Sequence, residues 1–308
     1  MTLDSNSNSN SRPNKKYRNI LQETVNKKYR RRLLINRLVT IFTIVCVIAA
    51  IIPLGSILLE VVKNGGSAIS FEFLTQPQGS MGSGKGGVGP AIEGTIIVVG
   101  LASLIAAPIG VLAGIYLSEF AKDSIFPNLV RFFNDVLTGL PSIVIGIVGY
   151  IVIVLSIGSF SVLAGAISLS IIMIPIVVRV TEETLKVVPF SLREAGHSLG
   201  ISKAKITLFV ILPSAKNGII TGIVIAISRI AGETAPLIMT ILGTSLFFTG
   251  FTGPLDALPL RIWRLASQPY ESTHAFGWGS ALILILMILA LSIGLRILTQ
   301  SRSIKAIT

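Results

Sequence analysis

The chain has 308 residues, of which 51% are hydrophobic and only 13% are charged, whereas soluble domains carry roughly 25% charged residues. This composition excludes an ordinary soluble protein. The net charge is +12, and ten of the 26 Lys and Arg residues precede Leu38. One cysteine, Cys46, and two histidines far apart in the sequence indicate neither an internal disulfide nor a zinc centre.

Six segments are long and apolar enough to cross a membrane as helices, which takes about 20 mostly apolar residues each. They are residues 38–59, 94–117, two spans within 136–178, residues 217–241 and residues 278–295. The small, polar segment 156–160 predicts a tight turn between the third and fourth spans. Barrel strands alternate apolar and polar residues, whereas these segments are apolar on all sides. The predicted fold is therefore all-α, a polytopic membrane protein with six transmembrane helices.

These spans divide the chain into four parts. Residues 1–37 are predicted to form a disordered and basic tail, with a Ser/Asn-rich stretch at 5–11. Residues 38–90 contain the first span and a Gly-rich outer loop, and residues 300–308 form a C-terminal tail. Residues 91–299 form a domain with the other five spans and a cytoplasmic loop at 187–216.

The basic residues predict the orientation, because loops on the cytoplasmic side of a membrane carry an excess of Lys and Arg. With the N-terminus in the cytoplasm, 21 Lys and Arg residues fall on the cytoplasmic side and 4 on the outer side. We therefore expect a multi-pass protein of the inner (plasma) membrane with both termini in the cytoplasm.

The loop 187–216 carries signals for a short helix at the inner membrane surface. Ser191 and Glu194 have the spacing of a capping box, with Ser191 as the N-cap residue. Gly200 is suited to the left-handed residue that ends a helix. Ser202 can begin another helix, which Pro213 is expected to interrupt before the fifth span. On spacing alone this is a solvated interfacial helix or a rigid contact for a soluble partner.

A longer sequence pattern favours the second interpretation, a contact for a soluble partner. The loop resembles the EAA motif of bacterial ABC importer permeases, E-A-A-x3-G-x9-I-x-L-P, at Glu194, Ala195, Gly196, Gly200, Val210, Leu212 and Pro213. The sequence departs from that motif at Gly196, which replaces the second Ala, and at Val210, which replaces Ile. The resemblance implies that a separate ATPase docks on this loop and moves the spans. Its coupling residues would be Ser191, Glu194, Ala195, Gly196, Gly200, Leu212 and Pro213.

Two opposite charges fall inside the predicted fifth span. Arg229 and Glu233 are four residues apart, so one helix face would carry both. Arg229 is twelve residues into the span, about 18 Å along its axis and near the bilayer midplane. The two side chains could form a structural ion pair. They could instead serve an anion pathway, because Arg donates to oxyanions bidentately and Glu233 can accept the proton of hydrogen phosphate.

A second resemblance concerns this segment. The run from Arg229 to Leu237, R-x-x-G-E-T-A-P-L, is similar to a signature of permeases in phosphate-specific ABC importers. Residues 87–95 and 257–259 also resemble that family. The resemblance implies a type I ABC importer permease fold and a substrate pathway that includes Arg229, Glu233 and Thr234.

The same resemblance implies the rest of the assembly. It comprises a second homologous permease subunit, two copies of an ATP-binding ABC subunit and an extracytoplasmic phosphate-binding protein. The segment 79–86 half-matches a P-loop but lacks its Ser or Thr. We therefore expect no enzyme activity and no cofactor in this chain, with ATP and Mg on the partner ATPase. Membrane lipid is an expected partner and nucleic acid is not. The alternatives are a permease for sulfate, molybdate or phosphonate, and an ion-coupled secondary transporter.

Overall fold

A computed structural model describes residues 15–79, 86–121 and 125–304, and within these ranges the chain is helical with two isolated β-bridges. In chain order the first helices are α1 (Lys15–Gly66), α2 (Phe71–Thr75), α3 (Gly89–Ile115), α4 (Ile125–Gly139), α5 (Ser142–Gly149), α6 (Leu155–Ile157) and α7 (Val162–Val187). They are followed by α8 (Phe190–Ser198), α9 (Lys203–Ile206), α10 (Leu212–Ala231), α11 (Ala235–Thr240), α12 (Leu258–Ala266) and α13 (Glu271–Ile304). The predicted all-α fold is confirmed.

The described residues fall into two units, which divide at Leu59 and Glu60. The first unit contains most of α1, which begins at Lys15, so the basic stretch that we assigned to a tail is helical. Lys, Arg and Leu have high helix propensities, which explains why the helix extends so far before the apolar span. The predicted disorder of residues 5–11 lies outside the described residues.

The membrane spans agree with the prediction in number when one broken helix pair counts as a single span. Among the described residues, five helices are long and apolar enough to cross a membrane: Arg31–Gly66, Gly89–Phe120, Val162–Val187, Lys203–Ala231 and Glu271–Leu295. The pair Ile125–Gly139 and Ser142–Ile157 would be the sixth, but its two helices meet at 100°. Proline lacks an amide hydrogen and disfavours helical geometry in the residue before it, so Pro141 accounts for the break.

The predicted turn between the third and fourth spans is confirmed. The helix α6 ends at Ile157, and Gly158 adopts a left-handed conformation with φ of 78°. Ser161 is then the N-cap of α7, and its hydroxyl accepts a hydrogen bond from the amide of Ala164 at 3.2 Å.

Two expectations for the fifth span were wrong. Pro213 does not interrupt the helix, because a π-helical turn (Thr207–Ile211) joins α9 to α10 and Pro213 lies in the first turn of α10. The wider π turn accommodates the missing amide hydrogen and the bulk of the proline ring. The span also ends at Ala231 instead of Ile241, since Gly232 caps α10 and Pro236 begins a separate short helix.

The helix α7 is the central element of the second unit. Gly110 and Gly114 of α3 allow a close approach, since a Cβ atom on either would lie under 3.0 Å from side chains of Val177 and Thr181. Gly218 and Gly222 of α10 meet α7 in the same way, at Thr184 and Val180. Small residues at helix contacts are typical of membrane bundles. The helices α3 and α10 therefore both pack tightly against α7, which leads directly into the loop 187–216.

Candidate functional site

The loop helix α8 begins two residues earlier than the predicted capping box would require. Its N-cap is Pro189, whose extended backbone (φ −55°, ψ 137°) directs Phe190 into the first helical position. Ser191 therefore lies inside the helix, and the predicted capping box of Ser191 and Glu194 is wrong. The two side chains are exposed, as is Ala195. These exposed residues are available to a partner because they do not close the helix end.

The other end of α8 has the predicted geometry. Gly200 is left-handed with φ of 72°, and its amide donates to the carbonyl of His197 at 2.9 Å. The amide of Ile201 donates to the carbonyl of Gly196 at 3.2 Å. These two bonds form a Schellman motif, which ends a helix sharply. The prediction that Gly200 ends the helix is confirmed.

Gly196 is the position at which α8 packs onto the bundle. It is buried, and a Cβ atom there would lie 2.8 Å from the side chain of Ile206. Because Gly196 stands where the EAA motif has Ala, and so has no side chain, α8 can pack closely against α9. Leu212 is half-buried and Pro213 is exposed, both beside the π turn that follows α9.

Arg193 joins α8 to the π-helical turn (Tyr116–Phe120) that extends the end of α3. Its guanidinium contacts the carboxylate of Glu119 through two hydrogen bonds, from Nη2 to Oε1 at 2.6 Å and from Nε to Oε2 at 3.1 Å. It also donates to the carbonyls of Leu185 and Val188 at 2.9 and 2.8 Å. The two side chains are only 16% and 4% exposed. Bidentate Arg–carboxylate contacts are directional as well as strong, so α8 is held in one orientation against α3 and α7.

This connection was missed from the sequence, where Arg193 counts only as one basic residue of a cytoplasmic loop. A signal was present, because Glu119 is the only charged residue between 94 and 121. An isolated carboxylate at the end of an apolar span needs a partner. The hydrogen bonds that Arg193 donates to Glu119 raise the pKa of Arg193 further above its usual range, so this guanidinium stays charged.

Arg229 and Glu233 are near each other but do not share a helix face. Arg229 lies two residues before the end of α10, whereas Glu233 follows the Gly232 cap. Arg229 Nε and Glu233 Oε1 are 4.0 Å apart, which is too long for a hydrogen bond. The Arg229 side chain is 61% exposed and that of Glu233 is 18% exposed. Thr234 is half-buried and is the N-cap residue of α11.

The packing of α10 on α7 gives the level of Arg229 within the bundle. Gly218 contacts Thr184 and Gly222 contacts Val180, so α10 and α7 are antiparallel in one register. The same register extended along α10 places Arg229 at the level of Met173, midway along α7. The helix therefore breaks at this level. Irregular backbone at membrane depth is tolerated where it is buried in protein or lines a water-filled cavity.

Residues 93–95 connect α3 to the segment that follows α11. Glu93 Oε2 accepts a hydrogen bond from the amide of Phe248 at 3.0 Å, and Thr95 Oγ1 accepts one from the amide of Leu258 at 2.8 Å. A Cβ atom on Gly94 would lie 2.0 Å from the carbonyl oxygen of Asp256. The two segments that resemble phosphate permeases, 87–95 and 257–259, therefore meet in space.

A buried ion pair lies at that junction. Asp256 and Arg261 have side chains 0% and 1% exposed and contact each other directly. Burial raises the pKa of Asp256 and lowers that of Arg261, although each charge opposes the shift of the other. Arg261 also donates to the carbonyl of Thr244 at 3.1 Å. This pair fixes the segment between α11 and α12.

Comparisons with known proteins identify the family of this chain. Residues 106–303 match the family described as "Binding-protein-dependent transport system inner membrane component". The "Phosphate transport system permease protein PstA" of Yersinia pestis is 36% identical over 278 residues, which cover 90% of this chain and 94% of that protein. The protein with the same name in Haemophilus influenzae is 38% identical over 267 residues, which cover 87% and 94%.

A solved structure supports the fold. A chain of the MetNI methionine ABC transporter, in a structure with inward-facing conformations, aligns with a TM-score of 0.54 and 17% identity and covers 72% of this chain and 97% of that one. At that identity the likeness extends to the fold alone. The family match covers more than half of this chain, and the two curated relatives match over most of their length. The chain therefore belongs to the family of binding-protein-dependent transport system inner membrane components, the membrane permeases of ABC importers.

Proposed function

We propose that this chain is a permease subunit of an ATP-driven importer of inorganic phosphate and forms half of its transmembrane pathway by alternating access. The main support for phosphate as the substrate is the similarity, over about nine tenths of the chain, to relatives named phosphate transport permeases. The R-x-x-G-E-T-A-P-L run from Arg229 to Leu237 supports the same substrate.

The energy source in this proposal is a separate ATPase, with ATP and Mg, that docks on α8. Ser191, Glu194 and Ala195 are exposed on that helix and would form the contact surface. Gly200 ends the helix, and Gly196 allows the helix to pack against Ile206. Leu212 and Pro213 begin the α10 helix that carries Arg229. Movement of α8 would reach α3 through Arg193 and Glu119, and α10 through α9.

The pathway in this proposal passes the break between α10 and α11. Arg229 is mostly exposed in the single chain, so its guanidinium is free to face the second permease subunit or a bound oxyanion. Glu233 and Thr234 lie at the same break. A carboxylate can accept the proton of hydrogen phosphate, whereas sulfate would leave it facing an unpaired negative charge. This arrangement favours phosphate over sulfate.

The remaining partners are a second homologous permease, two copies of the ATPase and an extracytoplasmic phosphate-binding protein that meets the outer segments. The basic-residue bias places α8 and both termini in the cytoplasm and the junction of residues 93–95 with 248–258 on the outer side. A permease for sulfate, molybdate or phosphonate is the second candidate, because the binding protein contributes to selectivity.

The test is uptake of labelled phosphate by cells that lack the chromosomal copy and carry this gene on a plasmid. We expect uptake to be restored, to resist a large excess of sulfate and molybdate, and to be lost when the ATPase gene is deleted. Uptake of sulfate in place of phosphate would select the second candidate. Restored uptake without the ATPase would favour an ion-coupled carrier and refute the proposal.

A further inference from the structure

The helix α4 has an apolar face that nothing in the described part of the chain covers. Its large apolar side chains recur every three or four residues and are between 42% and 85% exposed: Ile125, Phe126, Leu129, Phe132, Phe133 and Val136. This spacing places them on one side of the helix. The face consists of carbon atoms alone and has no group that could donate or accept a hydrogen bond.

The opposite face of α4 is tied to α7, so the apolar face points away from the bundle. Arg131 Nε donates to Glu182 Oε1 at 2.9 Å, and Arg131 Nη2 donates to the carbonyl of Leu117 at 3.1 Å. Asn134 Nδ2 donates to the carbonyl of Pro175 at 3.2 Å. These contacts fix the rotation of α4 about its own axis.

The direction of α4 differs from that of the helix that follows it. The two helices meet at 100° beside Pro141. The later helix packs against the first half of α7, because Gly149 lies against Ser168 and the chain turns into α7 after Ile157. The segment Ser142–Ile157 is about 24 Å long at 1.5 Å per residue. With this segment as the crossing part, α4 is free to run across the bundle instead of through the membrane.

Aromatic and charged residues mark the level at which α4 lies. The ring of Tyr116 contacts that of Phe126 with 6.3 Å between centroids, and Lys203 Nζ lies 5.7 Å from the centroid of Phe120. The ion pair of Glu119 and Arg193 is at the same end of α3. Aromatic residues beside charged ones are typical of the boundary between the acyl chains and the headgroups.

From this placement we propose that α4 is an in-plane helix of the cytoplasmic leaflet, with its apolar face bound to lipid acyl chains. Lipid is the occupant because the face offers a partner protein no polar contact, whereas protein interfaces form about one hydrogen bond per 100–200 Å². Amphipathic helices with Phe and Leu on one side bind membrane interfaces in this way. The inference rests on the proposed orientation, which puts the end of α3 in the cytoplasm.

The test measures depth at two positions on the apolar face. A spin-labelled amino acid is encoded at Phe126 or at Val136, and the complete transporter is reconstituted in lipid nanodiscs. Collision of the label with oxygen, which partitions into lipid, and with a water-soluble nickel chelate gives its depth. The two positions are about 15 Å apart along the helix axis. Ile151, which is 55% exposed on the crossing segment, is the matched control.

We expect both labels on α4 to collide readily with oxygen and to lie at depths that differ by less than one helical turn, about 5 Å. The label at Ile151 should lie deeper. A depth difference near 15 Å would show that α4 crosses the membrane and would overturn the inference. Labels that neither reagent reaches would show that a protein covers the face, and labels that only nickel reaches would show exposure to water. Phosphate uptake by the same labelled complexes reports separately on the proposed function.

Discussion

The contact between Arg193 and Glu119 offers the sharpest test of how the loop helix acts. Replacing Arg193 with Ala removes two hydrogen bonds to Glu119 and two to backbone carbonyls. The carboxylate of Glu119, only 4% exposed, then loses its bidentate partner. The change should loosen α8 from the ends of α3 and α7 and leave its exposed face intact.

The expected cost follows from burial. Removing one partner of a buried ion pair costs about 3–5 kcal/mol, because the other charge stays buried. Every 1.4 kcal/mol changes an equilibrium constant by a factor of about ten. The equilibrium between α8 attached to the bundle and α8 detached from it should therefore shift at least about 100-fold towards the detached state. The control is Arg179→Ala, which breaks ion pairs to Glu183 and Asp135. That side chain is 59% exposed, and such surface pairs contribute about 0–1 kcal/mol.

The assay is the number of phosphate ions imported per ATP hydrolysed by the reconstituted complex. We expect Arg193→Ala to lower this ratio about tenfold or more and Arg179→Ala to leave it near the parent value. A second variant, Glu119→Leu with Arg193→Leu, removes both charges and so restores much of the stability. It should assemble and hydrolyse ATP but remain poorly coupled. A double variant with the parent ratio would show that the contact serves assembly alone.

Three further predictions concern other positions. Replacing Gly200 with Val should weaken ATPase binding, because a β-branched residue in the left-handed region costs about 1–3 kcal/mol. Replacing it with Asn should be tolerated. Pull-down of the ATPase measures binding by both variants. The complex with the double variant Arg229→Leu and Glu233→Leu should assemble and bind ATP without importing phosphate. Near-normal phosphate uptake would show that these two residues have only a structural role. Gly94→Ala should lower the thermal unfolding midpoint by overpacking, at about 1–3 kcal/mol, whereas Gly100→Ala on the same helix, with open space around it, should not.

The sequence was sufficient for the helical class, the approximate spans and the end of α8. Runs of apolar residues and a glycine that ends a helix are local signals. Gly200 has the expected positive φ, and Gly158 lies in the predicted turn. The start of α8 was misjudged because Pro189 already supplies the extended residue, which leaves Ser191 inside the helix.

The misjudged features depend on contacts or on breaks in a continuous apolar run. Hydropathy joined 217–241 into one span, although Gly232 and Pro236 divide it. The pairing of Arg193 with Glu119 joins residues 74 positions apart, and no local pattern predicts it. The charges on Arg131 and Glu182 were visible in the sequence, but the bend that brings α4 against α7 was not.

The most direct test of the account uses purified components. The chain is assembled with its second permease, the ATPase and the phosphate-binding protein in sealed vesicles, with ATP supplied on the ATPase side and labelled phosphate on the binding-protein side. The account predicts that phosphate accumulates against its gradient only when ATP and the binding protein are both present, and that labelled sulfate does not. Accumulation driven by a proton gradient without ATP, or import of sulfate at the same rate, would contradict it.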